Sequence, residues 1–461
     1  MSKRAVVIGS GPNALVAAIE LARAGLEVEV HEAEDEPGGG LRSAELTLPG
    51  FVHDVCSAIH PLAVASPVLR ELDVEWVHPK APAAHPLDDG AAVVLERSLE
   101  ATVAGLGTDG GAYRELVEPF LKAWSHITDL RFLRAAVGVG PVALWSGLAA
   151  ARPLAERKFR EERTRAFFAG HAAHSMLPLE RRGSAGFGLA LLTMGHAVGW
   201  PFPRGGAARL AEALVARLRE LGGEIRTNAP VHKLPRADAV LADVAPRELL
   251  RIARGRLPAR YVRALEHYRH GPGAFKLDWA LREPIPWAAP EVVHAGTVHL
   301  GGTLEEIAAS ERAAWSGRPA ERPFVLLAQQ GRFDSSRGQT AWAYCHVPNG
   351  SAEDMTERIE AQVERYAPGF RATILARNAM GPAELEDHNR NLVGGDLNNG
   401  VMDLGQLLFR PARRLVPYRT PLKGVYLCSA ATPPGGGVHG LCGYAAAKLA
   451  LRDLGLSPRA R

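Results

Sequence analysis

The stretch Ala5-Val6-Val7-Ile8-Gly9-Ser10-Gly11-Pro12-Asn13-Ala14 decides the fold. Residues 5–8 read as a short buried strand and residues 12–24 as a helix rich in Ala and Leu, which Gly25 is placed to end. Residues 27–31 alternate as a second strand. Strand, helix and strand in this order make a crossover, the unit of a parallel sheet. Gly9 permits the tight turn between strand and helix, and Gly11 lets backbone approach a pyrophosphate. Ala14 stands where a third glycine often packs the helix on the sheet. The helix that opens at Pro12 and Asn13 turns N–H groups and a positive dipole end toward phosphate. Glu32 ends the second strand, with Ala33 beside it, and is placed to accept from ribose hydroxyls. Strand, glycines, helix and acid in register point to a dinucleotide.

Two further glycine-rich segments narrow the ligand. Glu36-Pro37-Gly38-Gly39-Gly40-Leu41-Arg42 lets backbone pass close to a pyrophosphate and a ribityl chain, and Arg42 is a candidate phosphate partner. Near the other end of the chain, residues 425–428 read as a strand. They lead into Ser429-Ala430-Ala431-Thr432-Pro433-Pro434-Gly435-Gly436-Gly437-Val438-His439-Gly440, and residues 442–454 form a helix that Gly455 is placed to end. A helix N-terminus beside a flavin ring stabilises the negative charge of the reduced form. The expected cofactor is therefore FAD, bound by both ends of the chain. A second GxGxxA, Gly138-Val139-Gly140-Pro141-Val142-Ala143, follows Arg131-Phe132-Leu133-Arg134 rather than a buried strand. No strand-ending acid follows it, so it reads as a chance match and no separate NAD(P) domain is expected.

With 461 residues, two or three domains are expected, and 47% apolar content suffices for a sizeable core. Lys plus Arg, 54, nearly balances Asp plus Glu, 50, and the excess is spread along the chain, which argues against nucleic acid as a partner. Cys56, Cys345, Cys428 and Cys442 have neither CxxC nor metal spacing and fit a reducing compartment. No signal or transit peptide fits ahead of Ala5. The weakly polar stretch 135–151 is shorter than the roughly 20 residues a spanning helix needs. A membrane-dipping lip or a tunnel wall is the more reasonable reading, and the expected location is cytoplasmic, with peripheral membrane contact left open. Residues 113–128 and the charged 153–170 read as helices, as does the amphipathic 207–221. Further strands are expected over 224–227, 239–242, 275–281, 324–328 and 340–347.

The three glycine-rich motifs, in this order, resemble the phytoene-desaturase-like branch of FAD oxidoreductases, which shares its plan with the amine oxidases. Within that branch the chain is similar to the group called pyridine nucleotide-disulfide oxidoreductase domain-containing protein 2. Shared segments include Pro49-Gly50-Phe51 with His53-Asp54, Ser57-Ala58-Ile59-His60-Pro61, Gly296-Thr297-Val298-His299-Leu300-Gly301-Gly302, Tyr344-Cys345-His346-Val347-Pro348-Asn349-Gly350 and Gly394-Gly395-Asp396. The resemblance implies an α/β fold, a Rossmann-type FAD-binding domain of amine-oxidase-like plan with an α+β substrate domain inserted. The FAD domain would draw on residues 1–70, 200–245 and 385–461, and the substrate domain on 71–199 and 246–384. Backbone at Val231 would meet adenine. The missing CxxxxC and second Rossmann unit argue against the disulfide reduction that the group's name suggests.

Hydride transfer to a flavin needs a substrate carbon placed over the ring and water kept out, and desaturation also needs one proton removed. His439, in the flavin-proximal turn, and His60 are the candidate acid–base groups. His299 and Asp396 read rather as structural, Asp396 as a holder of its loop. His171 and His174 lack the further ligands a metal site requires, so no metal is expected. The expected reaction is desaturation, saturation or isomerisation of an apolar small molecule. Two alternatives stand beside it. One is an oxidase of an amine or other small polar molecule, with Trp200, Trp279, Trp287 and Trp342 available for an aromatic cage. The other is a non-catalytic FAD-containing interaction protein.

Overall fold

A computed structural model of the chain describes residues 3–125 and 138–456. Its nucleotide-type half is a five-stranded parallel sheet in the order Val425–Leu427, Ala239–Ala242, Arg4–Ile8, Glu27–His31, Glu224–Arg226. Strands buried on both faces must be apolar throughout, and Ala5, Val6 and Val7 are wholly buried. The helix Pro12–Arg23 lies between this sheet, the helix Ala208–Glu220 and the helix Leu441–Asp453. That position explains why it is apolar over most of its circumference. All five strands run the same way, so Ile8, His31, Ala242 and Leu427 end at one edge. The crevice outside that carboxyl edge is where open α/β sheets bind ligands.

The other half is a seven-stranded mixed sheet in the order Ile374–Met380, Gly273–Leu281, Thr340–Val347, Val325–Ala328, Ala295–Leu300, Ala81–Pro86, Ala92–Leu95. It is antiparallel except where Ala295–Leu300 runs beside Ala81–Pro86. All nine residues of Gly273–Leu281 are buried, although they include Lys276 and Asp278. These two pair with each other, which makes their burial tolerable. Helices between residues 99 and 197 cover one face, and the helix Thr356–Tyr366 packs against the strands as well.

The expected strands at 239–242 and 340–347 have these bounds, and those at 224–227, 275–281 and 324–328 differ by one or two residues. The expected single helix at 153–170 is two, Ala151–Lys158 and Glu162–Ala173. Phe159 inserts into the core at the break. Both oxygens of Asp109 accept there, from the Arg160 and Glu161 N–H groups, at 2.8 Å each. A cap supplied from a distant helix leaves no local trace in the sequence. The expected helix at 113–128 is Gly110–Lys122, and residues 126–128 lie outside the described residues, as do Arg131 to Arg134 and residues 135–137. The second glycine motif opens the short helix Pro141–Leu148. Among the described residues no helix is long and apolar enough to cross a membrane.

Candidate functional site

A cavity of about 460 Å³ begins at the carboxyl edge of the parallel sheet and continues to the mixed sheet. At one end it is lined by His31, Glu32, Ala33, Pro230, Val231 and Arg251. Next come Gly9, Gly11, Pro12, Asn13, Gly39, Gly40 and Arg42, then His60, Leu62, Ala430, Gly437 and Val438. Toward the mixed sheet the cavity is lined by His174, Met176, Leu191, Trp200, Thr297, Leu326, Trp342 and Tyr344.

Close backbone packing builds the middle section. Gly39 has φ +57°, and a Cβ there would stand 3.0 Å from the Gly11 Cα. Two glycine turns are thereby pressed together, and both open on the cavity. Glu32 is already engaged: one oxygen accepts from the Ser10 N–H at 2.9 Å and from its hydroxyl, and the other from the Glu34 N–H at 3.0 Å. It ties the first turn to the second strand, and still lines the cavity.

Other expected ligand residues lie just behind this lining. Ala14 donates its N–H to Asp243. Gly38 donates to the Ser10 hydroxyl at 3.1 Å. Leu41 is part of the core, the Ser429 hydroxyl donates to the Val244 carbonyl, and Gly436 is packed against Asn398. These residues shape the walls without facing the space. His439 holds the turn that it belongs to. Its Nδ1 accepts from the Leu441 N–H at 3.0 Å, and its Nε2 donates to the Gly435 carbonyl at 3.2 Å. Burial pushes its pKa down to about 4. Both nitrogens are engaged in holding the turn.

His60 does face the cavity. The Ser57 hydroxyl is 3.1 Å from its Nε2, and its Nδ1 is buried with no partner. Burial pushes its pKa to about 4, so the ring is neutral at pH 7. Asp396 holds its loop by accepting from the Gly271, Asn398 and Gly400 N–H groups. His299 is wholly buried with Nε2 2.9 Å from Nε2 of His174, and its ring lies 4.8 Å from that of His171. Of the three, only His174 lines the cavity. No group of His, Cys, Asp and Glu among the described residues is arranged to hold a metal ion.

The sequence reading missed Asp243, which directly follows the strand Ala239–Ala242. Its Oδ2 accepts from the Ala14 N–H at 3.1 Å, in the first turn of the phosphate-facing helix. Burial, with the Glu32 charge adding to it, pushes its pKa up to about 7. Its place at the carboxyl edge was legible once the strand was recognised. His388 and Asn399 were missed too, and no motif marks them; Thr297, inside a shared segment, and Trp342, a cage candidate, also line the cavity. With Asn13, Arg42 and His60, these four line the cavity, and each carries a buried polar atom that has no partner, whereas buried polar groups are normally paired.

Asp243 gives a pH prediction. A carboxyl raised from 3.8 to about 7 in the folded chain favours unfolding once the unfolded state ionises. Stability is full below pH 3.8, falls as pH rises toward 7, and is flat above. The loss is at most about 4 kcal/mol, at ~1.36 kcal/mol per unit. Asp243→Asn keeps an acceptor for the Ala14 N–H but cannot ionise. Thermal melts are expected to show the variant gaining on the wild type between pH 4 and 7. A gap independent of pH would contradict the assignment.

Comparison with known proteins fits this geometry. Residues 7–72 match the model of the NAD(P)-binding Rossmann-like domain family. Putrescine oxidase, in its structure with putrescine, has the same fold, at TM-score 0.63 and 17% identity over 99% of each chain. The hydroxyneurosporene desaturase of Cereibacter sphaeroides is 29% identical over 265 residues, 50% of this chain and 51% of that protein. The chain is thus an oxidoreductase with a Rossmann-type domain, similar in sequence to a desaturase and in fold to putrescine oxidase. Over almost its full length it is homologous to the pyridine nucleotide-disulfide oxidoreductase domain-containing protein 2 of Mus musculus. The two are 27% identical across 98% of this chain and 93% of the mouse protein.

Proposed function

We propose that the chain holds one FAD along this cavity and oxidises or reduces an apolar small molecule at its far end. The observation that carries the reading is the continuity of the cavity from the Gly9–Gly11 turn to a chamber of Met176, Leu191, Trp200, Leu326 and Trp342. The residues fit the cofactor. Glu32, Ala33 and Val231 would take the adenosine, Gly11, Gly39 and Arg42 the pyrophosphate, and His60, Ala430, Gly437 and Val438 the flavin. The orphaned Asn13 Oδ1, Arg42 Nε and His60 Nδ1 lie along that path. Bound there, FAD supplies a hydride acceptor or donor. The chain's own part is to position the substrate, exclude water and handle a proton.

The chamber contains no carboxylate among its lining residues; its titratable groups are His174 and Tyr344. Burial holds His174 neutral and Tyr344 protonated. A cationic amine entering this space would lose its hydration without gaining a counter-charge, which costs several kcal/mol. An alkene or polyene loses nothing comparable. The amine reading keeps one supporting feature, the aromatic faces of Trp200, Trp342 and Tyr344. Trp279 and Trp287 are not part of it, since neither lines the cavity.

The test is anaerobic titration of the flavin-loaded protein with a panel of alkenes, polyenes and amines, following the visible flavin band. Bleaching by an apolar member is the expected result, along with reoxidation of the reduced protein by the matching desaturated product. Bleaching by amines alone, with peroxide formed when air is admitted, would transfer the assignment to the oxidase reading. A band that no compound changes would favour a non-catalytic role.

A further inference from the structure

Two short helices carry an unusual amount of exposed apolar surface. On Pro141–Leu148, Trp145 is 62% exposed and Val142 more so; on Leu404–Phe409, Leu408 is 68% exposed and Phe409 about half. Leu415, a few residues on, is fully exposed. The segment 181–183 joins the two helices into one surface. The Gly183 N–H donates to the Leu148 carbonyl at 3.1 Å. A Cβ on Gly183 would touch Leu404 at 3.1 Å, and Arg181 lies 3.7 Å from Asp403, the cap of the second helix.

Cations border these apolar side chains. The Arg182 guanidinium lies over the Trp145 ring at 5.2 Å, Arg413 over Phe409 at 5.6 Å and Arg414 over Tyr261 at 5.5 Å. Among the described residues none of the three is ion-paired with a carboxylate. Their charge is available to an outside partner. A soluble surface rarely leaves large side chains clustered in this way. The chain connects this surface to the cavity. Met176 and Asn399 line that cavity, and each lies five residues before this surface, ahead of Arg181 and Leu404.

We propose that this surface is a docking face for an anionic lipid leaflet, with Trp145, Leu408, Phe409 and Leu415 entering the interface and Arg182, Arg413 and Arg414 meeting the headgroups. Aromatic and aliphatic side chains with an arginine rim match that environment. A protein partner would be expected to bury its own carboxylates against these arginines, whereas a leaflet supplies charge and apolar depth over the whole face. The proposal stands apart from the redox reading, because binding is measured without turnover.

The test is flotation of the purified full-length chain with vesicles of phosphatidylcholine alone and with vesicles containing phosphatidylglycerol. Co-flotation with the anionic vesicles only is expected. The Trp145→Glu/Phe409→Glu pair should weaken it by about tenfold or more, and Arg413→Glu/Arg414→Glu by a similar factor. Cofactor content and melting temperature verify that the variants fold. In the wild type, quenching of tryptophan fluorescence by brominated lipid gives a second readout that needs no variant. Failure to float with either vesicle, or flotation unaffected by both double substitutions, overturns the proposal. So does self-association through this face, seen as a dimer by light scattering that the substitutions dissolve while vesicle binding is absent.

Discussion

Asp54→Ala is expected to lower stability by about 3–5 kcal/mol, the usual cost of removing one partner from a buried ion pair. Asp54 and Arg337 are both buried, and Oδ2 accepts from the guanidinium at 2.8 Å. The other oxygen accepts from the Ala207 N–H at 2.7 Å and the Ser43 hydroxyl at 2.9 Å. One carboxylate thus fastens three separate pieces of chain: the turn after Ser335, the entry to the helix Ala208–Glu220, and the ribbon of Ser43–Ala44 with His53–Asp54. Alanine would leave a buried guanidinium without a counter-charge and a backbone donor without an acceptor. Asp54→Asn keeps acceptors for Ala207 and Ser43 and should lose less. The ribbon runs between cavity-lining Arg42 and cavity-lining Cys56 to Leu62, so bound cofactor should fall along with melting temperature. Chemical and thermal unfolding of the three proteins, with flavin content measured in parallel, gives the comparison. Equal stability of Asp54→Ala and wild type would refute the role.

The second large effect is expected at Gly443, in the first turn of the helix Leu441–Asp453. A Cβ there would overlap the Asn13 carbonyl oxygen. Neighbouring Gly440, at φ +69°, sits against Val16. The two helices can meet this closely only because no side chain intervenes. Gly443→Ala should push the C-terminal helix away from Pro12–Arg23 and shift the turn that places Gly437 and Val438 in the cavity wall. Overpacking inside a core costs about 1–3 kcal/mol. Here the obstacle is backbone, so a loss of about 3 kcal/mol or more is expected, with most of the bound flavin gone. Gly111→Ala, at a helical glycine with open space around it, is the control and should change little.

The centre of the parallel sheet was legible because its strands are short and apolar; Ala5–Ile8 and Ala239–Ala242 announce themselves. The first and third glycine motifs were legible for a different reason: backbone that must approach something closely needs glycine, wherever the partner comes from. Strand Ile374–Met380 was not legible. It lies at the sheet's edge, half-buried, with Arg377 and Asn378 in its middle. The break at Phe159 was hidden because Asp109, far away in sequence, supplies the cap. His439 shows the limit of placing a side chain by its neighbourhood. Its turn does border the cavity, through Gly437 and Val438, yet the ring is turned inward to hold that turn. His388, at a helix end, and Asn399, in a loop, reach the cavity wall from separate elements, so no spacing in the sequence predicts them.

The mouse homologue's name speaks of pyridine nucleotide and disulfide, and the matched domain family of NAD(P). The glycine turn, the helix N-terminus and Glu32 suit either dinucleotide. FAD is proposed because the cavity continues past Gly11 and Gly39 to the turn between the strand Val425–Leu427 and the C-terminal helix. The four cysteines are free thiols; Cys345, Cys428 and Cys442 are buried, and burial pushes the pKa of Cys442 up to about 11. A thiol so raised is a poor nucleophile for disulfide exchange.

The most direct measurement is the identity and amount of nucleotide released when the purified protein is denatured. One FAD per chain is the result expected, with Gly443→Ala and Asp54→Ala releasing far less. Protein that carries no flavin, fails to take up added FAD and instead retains NAD or NADP would contradict the account.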